Sequence, residues 1–238
     1  DYTPTSTVSW NFVVEVYSDD PVDPTYSFTV QDNGPIYRDI EIDQGGTPVG
    51  TGTIFPWNGS IVGVGANLGF NIANIGTADA TLQAPLVAVV SSSGVTINSV
   101  NLPGSSSVVA GGNVGFSIDF TPTSTVSWNF VVEVYSDDPA TPVYTFAVQD
   151  NAPIYRDIEI DQGGTPVPDA GTHPQTGSIV GVPVNLPFNI ANVGTAGLTL
   201  TGAPNVQVAP VSGVTINSVT QPGSSSVAGG GNVGFSIS

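Results

Sequence analysis

The sequence predicts an all-β protein made of tandem sandwiches, each with two packed sheets. Apolar residues alternate with polar ones at every second position in many short runs, as in strands with one buried face. Clusters of Gly, Pro, Asn and Asp separate these runs, and no run has the spacing of an amphipathic helix. The chain also repeats itself about halfway along its 238 residues. These patterns together predict one β-domain sequence that is used about twice.

The repeat is close to identical over its first part. Residues 1–34 match residues 119–152 at 27 of 34 positions, at a constant offset of 118. Residues 35–49 match residues 153–167 at all fifteen positions. The offset stays at 118 until about Leu200 and then becomes 119.

The ends of the repeat predict three segments. Residues 35–152 contain one whole unit, which we expect to fold as a complete domain. Residues 153–238 contain the first part of a second unit and lack the part represented by residues 1–34. We therefore expect residues 1–34 to be the last strands of a split sandwich, either donated to a neighbouring copy or continuous with one.

Each predicted strand follows from its alternation. The run from Trp10 to Val16 places four apolar side chains on one face, and the run from Tyr26 to Val30 places three. Ile40 and Ile42 alternate with acidic residues. Later runs alternate through Leu68, Phe70 and Ile72 and through Val114, Phe116, Ile118 and Phe120. About seven short strands per unit is typical of an immunoglobulin-like sandwich, here without a disulfide because Cys is absent. Trp10 and Trp128 are the predicted core aromatics.

Composition excludes several functions. The chain has two Arg and no Lys but nineteen Asp and Glu, so its net charge is −17. A nucleic-acid partner is therefore not expected. One His and no Cys leave little material for nucleophilic catalysis, so we predict no enzymatic activity and no resident cofactor apart from a possible calcium ion. No apolar run approaches the roughly 18 residues of a membrane-spanning helix, so no membrane partner is predicted for this segment.

Three motifs occur in an order found in a known family. They are FNIANIGTADATL at 70–82, VAGGNVGFSIDFTP at 109–122, and YSDDP at 135–139 followed by YTFAVQDN at 144–151. This order resembles the choice-of-anchor D repeats of bacterial surface proteins, which are related to the ASPM–SPD-2–hydin immunoglobulin-like domains. The resemblance implies a β-sandwich from a secreted or surface-anchored protein, often in tandem arrays, and no enzymatic activity. It predicts an extracellular or cell-surface location.

The split unit predicts self-association. Residues 1–34 of one copy could complete residues 153–238 of the next, or the sequence could be one period of a longer tandem chain. Both arrangements are head-to-tail and open-ended, as in a filament or stalk. The predicted interface consists of Trp10, Phe12, Val14, Val16, Tyr26, Phe28 and Val30.

An adhesin module is the alternative from another class. Its loops would bind carbohydrate or protein, and the repeats differ most at 50–59 against 168–177 and at 83–93 against 201–212. Phe55 and Trp57, if exposed, could stack on sugars.

Acidic turns suggest a weak calcium site. The turn Ser-Asp-Asp-Pro occurs in both hairpins, and carboxylates and carbonyls are the ligands that calcium prefers. A β-turn with local Asx hydrogen bonds explains the same residues. The predicted junction ligands are Asp32, Asn33, Asp137 and Asp138, with Asp19, Asp20, Asp150 and Asn151 at the equivalent junction between copies.

Two other polar features have plain structural interpretations. His173 lies in a Gly-Thr-His-Pro segment where the first unit has Phe55, so we predict an exposed loop residue rather than a catalytic one. Asp39, Glu41 and Asp43 alternate along one strand and predict a solvated strand face.

Overall fold

The computed structural model describes residues 1–208 and 212–238, and over those residues the chain forms strands and turns without a helix. The predicted all-β class is confirmed. Residues 209–211, which belong to the variable loop predicted at 201–212, lie outside the described residues. Nor does the described part of the chain contain a helix long and apolar enough to cross a membrane.

A two-stranded hairpin comes first. Strands β1 (Trp10–Tyr17) and β2 (Thr25–Asp32) pair only with each other, in antiparallel register from Trp10 opposite Asp32 to Tyr17 opposite Thr25. No other strand of the described chain is hydrogen-bonded to this hairpin, and most of its residues are exposed.

A complete sandwich of ten strands follows. Seven of these strands have five residues or more, in agreement with the predicted count, and the three shorter ones lie at sheet edges. The strands are β3 (Ile40–Gln44), β4 (Thr47–Pro48), β5 (Ile54–Pro56), β6 (Ala66–Asn74), β7 (Ala80–Ser93), β8 (Val95–Asn101), β9 (Ser107–Val108), β10 (Asn113–Pro122), β11 (Trp128–Ser136) and β12 (Val143–Asp150).

The ten strands form two packed sheets. One sheet has the order β4-β3-β6-β10-β8 and the other the order β5-β12-β11-β7-β9. Only β5 runs parallel to its neighbour, β12, among the strand pairs of these two sheets. The alternating apolar residues of both sheets meet in one core, where Trp128, Phe120 and Phe130 are at most 1% exposed. Trp128 is thus a core aromatic as predicted.

The second unit contains one of these two sheets. Its five strands have the order β14-β13-β15-β19-β17, and β16 pairs with β18 beside it. Residues 153–208 and 212–238 include no strand equivalent to β5, β11 or β12. The strands are β13 (Ile158–Gln162), β14 (Thr165–Val167), β15 (Leu186–Asn192), β16 (Leu198–Thr199), β17 (Val219–Thr220), β18 (Ser226–Val227) and β19 (Asn232–Ile237).

The inner face of this single sheet is apolar and incompletely covered. Phe188 stacks on Phe235 with 5.2 Å between ring centroids, as Phe70 stacks on Phe116 at 5.5 Å in the complete sandwich. Phe70 and Phe116 are buried, whereas Phe188 and Phe235 are only partly buried. The second unit therefore has half of a sandwich core.

Hydrogen bonds to one acidic residue on an outer sheet face predict a pH dependence. Asp119 accepts hydrogen bonds from Asn67 Nδ2 (2.6 Å), Ser99 Oγ (2.6 Å) and Asn101 Nδ2 (2.9 Å). These bonds, that from Ser99 first, lower the pKa of Asp119 from 3.8 to about 2.

Because the pKa of Asp119 is lower in the folded chain than in the unfolded chain, its ionised carboxylate stabilises the fold at pH values above the unfolded pKa. This contribution is lost as the pH falls to about 2. We expect thermal unfolding of Asp119→Asn to differ from wild type most at about pH 5 and least at about pH 2. A difference in melting temperature that stays constant over this range would contradict the assignment.

Candidate self-association site

The hairpin and the half sandwich expose the groups that are buried in the complete sandwich. Phe12 and Phe28 are 38% and 46% exposed, whereas their counterparts Phe130 and Phe146 are 0% and 1% exposed. The other predicted interface residues follow the same trend: Val16 and Tyr26 are exposed, and Trp10, Val14 and Val30 are partly buried. Trp10 is therefore only partly buried in this chain, whereas its counterpart Trp128 is 1% exposed.

The hairpin is already arranged as in the complete sandwich. The ring centroid of Tyr2 lies 5.0 Å from Trp10 and 5.6 Å from Phe12. In the complete sandwich, Phe120 lies 5.0 Å from Trp128 and 5.4 Å from Phe130. The aromatic cluster thus forms without a facing sheet. Tyr2 belongs to it, although strand alternation did not place Tyr2 in the predicted interface.

A buried polar network marks one end of the complete sandwich, here called the Ser60 end. Trp128 Nε1 donates a hydrogen bond to Ser60 Oγ at 2.8 Å, and Ser60 Oγ donates to Asp150 Oδ2 at 2.7 Å. Ser60 and Asp150 are both buried, at 5% and 2% exposure. The network satisfies every donor it contains.

The same network is open in the hairpin and in the second unit. Trp10 Nε1 is buried and has no hydrogen-bond partner in the part of the chain that the structure describes. Ser178, the counterpart of Ser60 at an offset of 118, is exposed. An unpartnered buried N–H reduces stability by about 1–3 kcal/mol, so the fold would gain stability if an acceptor reached Trp10 Nε1.

A carboxylate lies at the opposite end, here called the Asp138 end. Asp138 is fully buried in the turn between β11 and β12, and its Oδ2 accepts a hydrogen bond from the backbone N–H of Ile40 at 3.2 Å. Asp137 accepts from the N–H of Thr81 at 2.7 Å and lies 3.2 Å from Arg38 Nε. These contacts fasten the last hairpin to the first strand of the same sandwich.

The second unit lacks the partners for these contacts. Ile158, the counterpart of Ile40, is 53% exposed, compared with 3% for Ile40. The matching carboxylates in the free hairpin are Asp19 and Asp20, and both are exposed. Among the residues that the structure describes, the Asp20 carboxylate accepts a hydrogen bond only from the nearby N–H of Val22, at 2.9 Å.

The predicted calcium ligands are mostly engaged by backbone N–H groups. Asp150 and Asp32 cap the turns that follow their strands, through the N–H of Ala152 and of Gly34, both at 2.9 Å. Asn151 pairs with the Gln149 side chain. No group of three or more His, Cys, Asp or Glu side chains lies within metal-binding distance among residues 1–208 and 212–238. Calcium binding stays a prediction.

The exposure predicted for His173 is wrong. His173 is partly buried: its ring packs edge-on against Phe188 at 5.7 Å and its Nε2 lies 2.8 Å from Gln162 Oε1. Phe55 and Trp57 are also partly buried and pack against the core. Asp39, Glu41 and Asp43 are each partly exposed, and burial, with a smaller effect of the Asp138 carboxylate, raises the pKa of Asp39.

Comparisons with known proteins give no family. No protein-family model and no curated protein matches the chain. Solved structures that are similar include an ASH/PapD-like domain of human CEP192 (12% identity, 50% of this chain and 87% of that chain, TM-score 0.33). Others are a protein of unknown function from Porphyromonas gingivalis (16%, 83% and 81%, TM-score 0.29) and the secreted serine protease VesC from Vibrio cholerae (13%, 76% and 44%, TM-score 0.32). All three TM-scores are below 0.5, so these likenesses carry no argument about function.

Proposed function

We propose that this chain is a structural segment of an extracellular filament or stalk. In this assembly, residues 1–34 of a neighbouring copy complete the open sandwich of residues 153–238. The observation that carries the proposal is one sequence in two environments: the inner face of the run WNFVVEVYSDDP is buried in the sandwich core at 128–139, and the same face is partly or fully exposed at 10–21.

The free hairpin has the strands that the second unit lacks. The second unit lacks the strands equivalent to β11 and β12, and the free hairpin has their sequence, register and aromatic cluster. Docking by the same register would give Trp10 Nε1 the acceptor Ser178 Oγ. It would also give the N–H of Ile158 the acceptor Asp20. A backbone-paired donor hairpin with alternate side chains in the acceptor core is an established mode of strand addition.

The chain's own hairpin is badly placed for this role. Tyr37 is held at the Asp138 end by hydrogen bonds with Thr77, so the hairpin is attached at that end of the complete sandwich. The second unit leaves from the Ser60 end, where Ile154 donates to the Ser60 carbonyl at 2.7 Å. Since hairpin and acceptor are attached at opposite ends, a neighbouring copy is the natural donor and assembly proceeds head-to-tail.

The residues at the junction between units are complementary in the same way. Ile61 and Ile154 form a parallel bridge where the complete sandwich meets the second unit. Their counterparts Ile179 and Ile36 are 68% and 77% exposed. Docking would bring these two residues together and repeat the observed junction between copies.

The free energy gained by burying the apolar side chains of the hairpin is large enough to hold a polymer together. About six large side chains would become buried, at roughly 1.5–3 kcal/mol each. Their sum is on the order of 10 kcal/mol before the entropy of association is subtracted. The extracellular location is supported by the resemblance to choice-of-anchor D repeats. The adhesin alternative is weakened because Phe55 and Trp57, its aromatic candidates, pack against the core of their own sandwich.

Electron microscopy with sedimentation tests the proposal. A sandwich of this strand length spans about 35–45 Å, so rods should show an axial repeat near 40 Å or near twice that distance. Association that increases with protein concentration would indicate separate subunits joined by hairpin docking. Discrete monomers at every concentration would contradict the proposal.

A further inference from the structure

We propose that Tyr2 and Gln175 form a polar pair at the junction between copies, where the complete sandwich has the aromatic pair of Phe120 and Trp57. The inference rests on the proposed head-to-tail docking.

Residues 1–34 and residues 119–152 differ at only one core-facing position. They differ at seven positions in all, and six of these lie in turns, in the linker or on the outer strand face. The seventh is Tyr2, which stands where the complete sandwich has Phe120, a residue of β10 in the sheet that faces the hairpin. Phe120 is fully buried, and Tyr2 occupies the same place in its aromatic cluster. Residues 1–34 therefore bring one additional hydroxyl group to the core side of the junction.

The two units also differ at the residue that contacts this aromatic position. In the complete sandwich, Trp57 packs edge-on against Phe120, with 5.9 Å between ring centroids. In the second unit, Gln175 stands where the first unit has Trp57. An aromatic pair in one sandwich is thus replaced at the junction by a hydroxyl and an amide, which can each donate and accept a hydrogen bond.

The acceptor segment around Gln175 already lies in the register of its counterpart. His173 packs edge-on against Phe188 at 5.7 Å, as Phe55 packs against Phe70 at 5.6 Å. Gln175 itself is exposed and lies 3.4 Å from the Gln162 side chain through Nε2. Docking of the hairpin would cover Gln175 with Tyr2, as Phe120 covers Trp57.

A change in either member of the pair leaves a polar group without a partner. Tyr2 opposite an indole ring would bury its hydroxyl unpaired. A phenyl ring opposite Gln175 would leave the amide unpaired. Burying an unpaired polar group costs more than a matched hydrogen bond gains, and specificity in natural interfaces commonly uses this penalty.

A double-mutant cycle in the full chain tests the pair. We expect Tyr2→Phe and Gln175→Trp each to raise the concentration for half-maximal association about tenfold, because each leaves one polar group unpaired. The combined variant recreates the aromatic pair of the complete sandwich, and its association should return to within about threefold of wild type.

Two controls make the outcome specific. Thr25→Val introduces the residue of the internal hairpin at an exposed position away from the pair, and should leave association unchanged. Thermal unfolding of the complete sandwich should be the same in all variants, because neither Tyr2 nor Gln175 belongs to it. Effects of the two substitutions that simply multiply would overturn the pair while leaving head-to-tail docking intact. Absence of association in wild type would instead contradict the proposed function.

Discussion

Replacing Phe12 with Asp is expected to abolish head-to-tail association and leave the complete sandwich as stable as in wild type. Docking would bury the Phe12 side chain, which contributes about 1.5–3 kcal/mol. A carboxylate in its place would be desolvated without a partner, at a further cost of several kcal/mol. Because each 1.4 kcal/mol changes an equilibrium constant tenfold, association should weaken on the order of a thousandfold or more.

The matched variant is Phe130→Asp. Phe130 is the counterpart of Phe12 and is 0% exposed in the complete sandwich. This variant should unfold residues 35–152, as circular dichroism and thermal melting would show. If Phe12→Asp also lowered the melting temperature of the complete sandwich, the hairpin would pack within its own chain and donation between copies would be wrong.

Replacing Asp138 with Ala is expected to destabilise the complete sandwich by about 2–4 kcal/mol. The substitution removes the acceptor for the backbone N–H groups of Ile40 at 3.2 Å and Ala140 at 2.8 Å. The N–H of Ile40 would then lack its partner at a buried site, and the turn would lose the bond from the N–H of Ala140. Chemical denaturation of the full chain measures the loss in free energy of unfolding.

Asp20→Ala is the corresponding change in the free hairpin. Asp20 is exposed and contacts only its own turn, so the free energy of unfolding of the complete sandwich should stay at the wild-type value. Association should weaken, because the N–H of Ile158 would lose its proposed acceptor. An Asp138→Ala variant of wild-type stability would show that the buried carboxylate is not what fastens the hairpin to the first strand.

Two-residue alternation and the repeat predicted the fold class and the apolar face of the hairpin. Both signals are local or compare one part of the chain with another, so they can be read without coordinates. The network of Ser60, Trp128 and Asp150 could not be predicted in this way, because it joins residues far apart in sequence. One signal was available in principle: Trp10 and Trp128 both have an N–H that needs an acceptor once buried.

The errors have similar physical causes. His173 lies in a loop, as predicted from the Gly and Pro around it, but that composition did not show that the ring would pack against Phe188 and be partly buried. Calcium binding at Asp138 stays a prediction, but this carboxylate also makes a backbone contact that its acidic neighbours in sequence did not indicate. A sequence does not show which backbone N–H groups will face a carboxylate, and here one of them lies 98 positions away, at Ile40.

The anchoring of Tyr37 at the Asp138 end also bears on the order of events during synthesis. A ribosome makes residues 1–34 before the first acceptor sheet, so the early hairpin meets that sheet before the correct hairpin at 119–152 exists. Closing it would require Asp32 to reach the Ser60 end while Tyr37 stays at the other. The five steps from Asp32 to Tyr37 span at most about 18 Å. Strand β12 alone covers about 23–26 Å between those ends. The short tether thus keeps the nascent hairpin out of the sheet that follows it in the same chain.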